Sequence, residues 1–271
     1  MGFLDVYEEV FDELKFLTGS DTRIKILIAL NEGTMDLRLL RNKTKVTTST
    51  LLHSIRKLED NDLLDRGEDG YSLTHLGRIQ LLLLMDLVKA LNTLQTHKEF
   101  WLDHQMMDIP ESLLKNIGSL SDSSVVMATS TDLLKPISSV AKLLSDAKDL
   151  KAVVPILPQD FVGIIGNLTD RGVGIHLVLT SEVLNALIDK YPHVLKDILT
   201  RKNLEMRVMD EDIKEAFVIT DSAITFGMFL KNGVFDITGY LISHTSDAIS
   251  WGLEIFEYYR KRASMVKMDD I

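Results

Sequence analysis

Apolar residues in the first third of the chain recur at helical spacing. Val6, Val10, Leu14 and Leu17 repeat every three or four positions and stop at Gly19, which predicts an opening amphipathic helix. Ser20 or Asp21 can cap a second helix that turns Ile24, Leu27, Ile28 and Leu30 inward and ends at Asn31 and Gly33. A short helix is expected over residues 36–42, then a turn through Lys43, Thr44 and Lys45, then a longer helix from Thr47 to about Asn61. Two β-prone runs, Leu63-Leu64-Asp65-Arg66 and Tyr71-Ser72-Leu73, flank Gly67-Glu68-Asp69-Gly70 and predict a hairpin. Helix, helix, short helix, turn, longer helix, hairpin is the order of a winged helix-turn-helix, here spanning residues 1–75.

The longer helix divides cleanly by angle. At about 100° per residue, Leu51, Ile55 and Leu58 fall within about 60° of one another and face the core. Ser49, His53, Arg56 and Asp60 lie opposite, flanked by Thr50 and Lys57. Hydroxyl side chains, Thr47 and Thr48 included, stand at the start of the helix and longer basic ones further along. That arrangement suits a helix whose N-terminal end meets base edges in the major groove while amides and cations meet phosphates. Arg38, Arg41, Lys43 and Lys45, on the preceding helix and turn, would lie along the DNA backbone, and Arg66 on the wing could reach a neighbouring phosphate or the minor groove. A solvated basic helix pair is the plain alternative.

Beyond the hairpin the pattern becomes leucine-rich. Residues 76–103 form one long helical pattern with Leu81, Leu82, Leu83, Leu84, Leu87, Val88, Leu91 and Leu94. A helix apolar on nearly every side is buried within the chain or shared between two subunits; paired half-sites favour the homodimer. Residues 76–120 are therefore expected to be connecting and dimerising helices. His97 and His104, near Glu99, Asp103 and Asp108, are seven residues apart and so about 10 Å apart along one helix, too far for one ion. No metal site is expected, and His97 reads as a surface residue.

From about residue 121 the period changes again. Val125-Val126-Met127 is a buried-strand candidate, followed by a helix over residues 133–144 and a strand over 150–156. A helix over 161–168, a strand over 175–179 and helices to about Leu199 continue the alternation, which predicts a mainly parallel sheet with crossover helices. Strand-like runs follow at 204–209, 216–220 and 224–229, with a weaker one near 235–240, and a last helix over 246–262 puts Trp251, Ile255 and Tyr258 or Tyr259 on one face. The expected fold is thus an α+β winged helix-turn-helix followed by an α/β domain. In α/β sheets ligands bind beyond the carboxyl ends of strands, which singles out Thr129, Ser130, Pro155, Thr180 and Ser181 as neighbours of a small-molecule effector. Each is also an ordinary helix-start residue.

Composition narrows the function classes. The 271 residues include no cysteine, which excludes a disulfide scaffold, thiolate zinc fingers and a cysteine nucleophile. Net charge is −10, so the molecule as a whole is repelled by nucleic acid and anionic membrane. Yet residues 37–58 hold six Lys or Arg and no Asp or Glu, an island of positive charge on the predicted reader. From residue 101 onward 17 basic residues face 24 acidic ones. The greasiest run, residues 81–85, is far short of the roughly 20 residues a membrane span needs. A soluble cytoplasmic protein is expected. Gly-x-Gly-x-x-Gly, a Walker loop and Gly-x-Ser-x-Gly are all missing, so no cofactor and no enzyme activity are expected. His176 reads as a hydrogen-bonded residue of a buried strand, His193 as a surface residue, and the hydroxyls around His244 as helix caps.

Three resemblances sharpen this reading. Tyr71-Ser72-Leu73-Thr74 leading into Leu76-Gly77 resembles winged-helix repressors of the ArsR-like type. Phe100-Trp101-Leu102-Asp103-His104, Ile109-Pro110-Glu111-Ser112-Leu113-Leu114 and Ile117-Gly118-Ser119-Leu120 resemble the opening of the middle domain of archaeal methanogenesis regulators. So does Ala248-Ile249-Ser250-Trp251-Gly252-Leu253-Glu254-Ile255-Phe256-Glu257-Tyr258-Tyr259-Arg260, whose Trp-Gly…Phe-x-Tyr-Tyr ending is the most specific part. This resemblance implies an archaeal regulator that binds double-stranded DNA. Finally, Arg207-Val208-Met209 and residues 213–221 are similar to half of a phospholipase-D-like fold, whose active members carry His-x-Lys-x4-Asp there. Lys214 and Ala216 occupy the His and Lys places and only Asp221 matches, which implies a catalytically silent domain. A winged helix that docks another protein remains the rival class, and a phosphodiesterase the remoter one.

Overall fold

A computed structural model describes residues 1–106 and 109–271 and divides into two compact units, Met1–Leu87 and Val88–Ile271. In the first unit the expected opening helix is two helices, α1 (Phe3–Glu9) and α2 (Phe11–Thr18), broken at Val10, and neither buries a residue. Ser20 caps α3 (Asp21–Leu30) by accepting the Arg23 N–H at 3.4 Å. Ile26, Leu27, Ala29 and Leu30 turn inward, whereas Ile28 is 44% exposed, a phase error of the sequence reading. Asp36 caps α4 (Leu37–Thr44) through the Leu39 N–H at 2.7 Å, and Lys45, left-handed at φ 59°, turns the chain into α5 (Thr48–Glu59).

Leu51, Ile55 and Leu58 of α5 are buried, as its periodicity requires, in a core with Leu27, Leu40, Leu63 and Tyr71. Strands β1 (Leu64–Gly67) and β2 (Gly70–Leu73) form the hairpin, with Gly67 opposite Gly70. The next corner is tight. Thr74 donates its N–H to the Leu63 carbonyl (3.1 Å) and its hydroxyl to that of Asp62 (2.6 Å), while accepting the Gly77 N–H (2.9 Å). There α6 (His75–Thr96) begins, with Gly77 packed so closely that a Cβ would lie 2.1 Å from the Leu63 oxygen.

The single helix expected to reach residue 103 is interrupted at His97, after which α7 (Lys98–Asp103) starts. His97 is buried at 8% exposure, not on the surface, and its Nε2 stands 3.0 Å from the Ser123 hydroxyl. Burial holds its pKa below the ordinary imidazole value, opposed by its hydrogen bond to the Ser123 backbone. The Trp101 indole donates to the Thr93 carbonyl at 3.1 Å, across the junction of α6 and α7.

The second unit continues with α8 (Glu111–Leu114), β3 (Ser124–Met127), α9 (Lys135–Asp146), β4 (Asp149–Val154), α10 (Phe161–Asp170) and β5 (Gly174–Thr180). Then come α11 (Ser181–Lys190), α12 (Pro192–Leu199), β6 (Leu204–Met209), β7 (Glu215–Thr220), β8 (Ile224–Met228), β9 (Gly239–Ser243), α13 (Ser246–Arg262) and β10 (Ser264–Met265). Among the described residues an eight-stranded sheet runs β10-β6-β5-β4-β7-β8-β9-β3. The expectation of a mainly parallel sheet is corrected here: only β4–β5 and β5–β6 are parallel, and the other pairings are antiparallel. The reason is connection length. Helices cross over between β4, β5 and β6, but β7 reaches β8 through a tight turn, which can join only antiparallel strands. The residues expected as a buried strand near Val125 are instead the half-exposed edge β3, and the weak strand expected near 235–240 lies later, as β9 over Gly239–Ser243.

One sheet face is covered by α13, where the stacked rings of Phe217 and Phe226, 4.6 Å apart, meet Trp251. Ile175, Leu177, Leu179 and Met206 on the other face pack with α10, α11 and α12. Thr245 caps α13 through the Ala248 N–H (3.3 Å), and Trp251, Ile255 and Tyr259 point inward. Among the described residues no helix is long and apolar enough to cross a membrane, and no group of three or more metal-capable side chains gathers. Asp108 lies outside the described residues.

Candidate nucleic-acid interface

The sequence-predicted reader is one continuous surface of the first unit. Thr47, Thr48, Ser49, Thr50, His53, Arg56 and Lys57 are all exposed along α5 and its start, and Arg38, Arg41 and Lys45 are exposed on α4 and the turn after it. Thr47 occupies the N-cap position of α5 but its side chain does not cap. Its hydroxyl sits 2.9 Å from that of Thr50 and 3.4 Å from that of Ser49. The first-turn amides therefore remain open to an external acceptor, at the end of the helix where the dipole is positive. Beside them Arg41, Asn42, Lys45, Val46, Thr47 and Thr48 line a concavity of about 560 Å3.

Two members of the predicted set are already engaged. Lys43 is ion-paired with Glu32, which follows α3, so its charge is partly answered within the protein. Arg66 lies with its guanidinium 5.7 Å from the Tyr71 ring centroid, and the exposed wing also carries Asp65, Glu68 and Asp69. The three carboxylates outnumber the single cation of the hairpin.

The five residues singled out as effector neighbours lie at the carboxyl ends of strands, in two groups. Pro155 follows β4, while Thr180 ends and Ser181 follows its parallel neighbour β5. Thr129 and Ser130 follow β3, which is separated from β4 by β7, β8 and β9, or roughly 19 Å at the usual strand spacing. Pro155 is buried; Thr180 is buried and caps α11 by accepting the Val183 N–H (3.4 Å); Ser181 donates to the Asp210 carboxylate (2.5 Å). Only Thr129 and Ser130 are exposed.

Where the sequence was compared with His-x-Lys-x4-Asp, Lys214 approaches Asp212 at 2.5 Å and lies over the Phe229 ring at 5.0 Å. Asp221, at the far end of β7 and roughly 20 Å from Lys214 along the strand, accepts the Lys148 N–H (2.9 Å), which holds its carboxyl below the usual range. These groups cannot act on one substrate atom together.

Three further histidines have structural partners. His176, expected to be buried, is half-exposed and lies 3.4 Å from Glu205. Glu205 accepts from Arg260 (2.9 Å) and Arg207 (2.6 Å), and these cations pull its carboxyl down to about 2. His244 Nδ1 is 3.1 Å from the Ser222 carbonyl. A buried pair escaped the sequence reading altogether. His104 stands with Nδ1 2.6 Å from the Phe100 carbonyl and Nε2 3.0 Å from the Asp236 carboxylate. Asp236 also receives the N–H (2.8 Å) and hydroxyl (2.6 Å) of Thr238. Burial, reinforced by Asp236, pushes the Tyr240 hydroxyl up to about 12.

The N-terminal domain of the methanogenesis regulatory protein FilR1 matches residues 11–92, and its middle domain matches residues 133–262. The FilR1 protein of Methanothrix harundinacea (strain 6Ac) is 29% identical over 268 residues, which cover 97% of this chain and 60% of the relative, so the chain spans about three-fifths of that protein's length. Among solved structures, the archaeal chromatin protein TrmBL2 gives a TM-score of 0.44 at 16% identity, over 90% of this chain and 94% of that one. Phosphatidylserine synthase of Haemophilus influenzae Rd KW20 gives 0.35 at 16% identity, over 54% and 39%. Neither likeness is close enough to bear on function.

Proposed function

Because the chain belongs to the methanogenesis-regulator family of FilR1, we propose that it is a transcription regulator, reading double-stranded DNA through α5 as a homodimer in the cytoplasm. The observation that carries the reading is the outer face of α5: exposed hydroxyls at an uncapped N-terminus, then exposed His53, Arg56 and Lys57, within an acid-free window of an acidic protein. In the major groove this face would present Ser49, Thr50, His53 and Arg56 to base edges. Arg38, Arg41, Lys45, Lys57 and the open amides would meet phosphates, with Lys43 and Arg66 as further cations. The exposed leucines of α6 support a homodimer, since Leu83 and Leu91 are 66% and 57% exposed in a single copy.

The second unit serves this reading as a non-catalytic module. Lys214 and Ala216 stand where a phosphodiesterase would need His and Lys. Small-molecule control would act beyond the carboxyl ends of β4 and β5, at Pro155, Thr180 and Ser181, or beyond that of β3, at Thr129 and Ser130. It requires an effector with different affinities for two arrangements of the dimer.

The test is binding of the full chain to DNA flanking its own gene at several salt concentrations. Log K should fall steeply with log salt, by roughly 0.9 for each phosphate neutralised. Arg56→Ala and His53→Ala should weaken specific binding by about 1–3 kcal/mol for a residue in a good base contact. A flat salt dependence, with both variants folded and unchanged, would instead favour a winged helix that docks protein.

A further inference from the structure

We infer that β3 is a second self-association site, at which two copies of the chain pair their edge strands antiparallel about Val126 and join two sheets into one. The inference goes beyond the homodimer proposed for α6 and does not depend on it. β3 ends the sheet, with β9 on its inner side. The register sets which of its backbone groups face outward. Ser124 stands opposite Ile242 and Val126 opposite Tyr240, and just past the strand Ala128 donates its N–H to the Thr238 carbonyl (2.7 Å). In an antiparallel ladder residues alternate between those bonded to the neighbour and those whose groups point away from it. Ala128 is bonded inward, so Val126 and Ser124 are too, and the N–H and C=O groups of Val125 and Met127 point to the open edge. Among the described residues no other strand or turn is hydrogen-bonded to those groups.

Edges of this kind are normally guarded by charge, proline, shortness or a covering element. Residues 123–131 carry neither a charge nor a proline. The opposite edge, β10, is only two residues long and lies between Arg262 and Lys267. α9 packs on β3 and on β7, so it lies over the sheet's face and not along the edge. The chain leaving β3 adds apolar surface, with Met127 48%, Leu133 71% and Leu134 61% exposed.

Symmetry and charge select a second copy as the occupant. The outward groups stand one residue to either side of Val126. A two-fold axis at Val126 therefore lets Val125 of each copy exchange a pair of hydrogen bonds with Met127 of the other. In that register Val126 meets its own counterpart, Ser124 meets Ala128 and Asp122 meets Ser130, so no charge stands opposite a like charge. At roughly 150–200 Å2 for a fully exposed large side chain, Met127, Leu133, Leu134 and Ile137 offer about 400 Å2 per copy, about half of a standard interface. Such a contact is weak between free copies and strengthens where another contact or a shared DNA holds them together. A chain with two different two-fold contacts closes into a tetramer or continues as a file of dimers.

The protein has no cysteine, so one introduced thiol is unique. Across the axis the two Cα atoms at position 126 would lie about 4.5 Å apart, within reach of a disulfide, and those at position 124 about 14 Å apart. Full-chain Val126→Cys and Ser124→Cys proteins are oxidised with copper phenanthroline without DNA and separated on non-reducing gels. Val126→Cys should give at least tenfold more linked dimer than Ser124→Cys. Sedimentation of the wild type should show mass rising with concentration beyond its smallest oligomer. Met127→Pro removes an outward N–H and leaves the bonds to β9 in place, and Met127→Lys puts a charge on the edge; each should abolish that rise, with circular dichroism confirming the fold. Val126→Cys linking no better than Ser124→Cys, or an unchanged rise in folded Met127→Pro or Met127→Lys protein, overturns the pairing. These readouts involve neither DNA nor α6, so their failure is separate from failure of the reading above.

Discussion

Replacing Gly77 by alanine should destabilise the first unit, against the ordinary rule for helices. Inside a helix alanine is favoured over glycine by roughly 0.5–1 kcal/mol. At Gly77 the added Cβ would lie 2.1 Å from the Leu63 oxygen, 2.9 Å from its carbonyl carbon and 3.1 Å from its Cα. All three are backbone atoms of a residue fixed by two hydrogen bonds, Leu63 N–H to the Leu58 carbonyl (2.9 Å) and Thr74 N–H to the Leu63 carbonyl (3.1 Å). Carbon needs more than about 3 Å from such atoms, so the first turn of α6 must move by about 1 Å. Overpacking of this kind costs roughly 1–3 kcal/mol, which leaves a net loss of about 1–2 kcal/mol after the helical gain. For a unit of this size that lowers the melting midpoint by roughly 5–15 °C.

Both tryptophans, Trp101 and Trp251, belong to the second unit, so their fluorescence serves as an internal reference while far-UV circular dichroism follows both units. The dichroism should gain an earlier transition that the fluorescence lacks. Gly166→Ala in α10 is the contrast: no atom stands within 4 Å of its Cβ position, so alanine should stabilise there. A Gly77→Ala protein that melts at or above the wild-type temperature would refute the steric argument.

Two further outcomes can be checked directly. Glu32→Gln releases Lys43 from its ion pair and should tighten DNA binding and steepen its salt dependence, as read by fluorescence anisotropy; weaker binding would mean that the pair orients the reader. The Glu205 carboxyl, lowered from 4.5 to about 2 by Arg260 and then Arg207, stabilises the fold above its unfolded value, and this contribution is lost as pH falls from 4.5 towards 2. Glu205→Gln should therefore lower stability at neutral pH in urea titrations and flatten its fall through that acid window. An unchanged acid profile would mean that the two arginines find other partners.

What the sequence disclosed follows from how local each determinant is. The core stripe of α5 is fixed by residues three and four apart, and α13 runs over the residues its pattern assigned. The hairpin was readable from Gly67 and Gly70, which pair across a two-residue turn. The break at His97 was not, because apolar residues continue on both sides and the partner of the imidazole, Ser123, lies 26 positions away. The directions of β7, β8 and β9 depend on short connections that a pattern of alternating helices and strands obscures. His104 and Asp236 are 132 positions apart, and neither carries a local sign of the other. On α5 the predicted side chains share one surface because a single helix carries them. The effector set divided because strand order, which no local pattern encodes, put three strands between its parts.

The order of the strands also sets when each unit can form. The first unit is assembled from neighbours along the chain, α3 with α4 and α5 and β1 with β2, so little loop entropy stands in the way of its assembly. In the second, β3 emerges from the ribosome early but finds its partner only in β9, more than a hundred residues later, and β10 must return to β6 after α13. Its sheet cannot be completed until nearly the whole chain has been made. During synthesis, then, the helix-turn-helix can be folded while β3 still waits with an unpaired edge, and a ribosome-stalled chain ending before residue 239 should protect the first unit from protease but not the second.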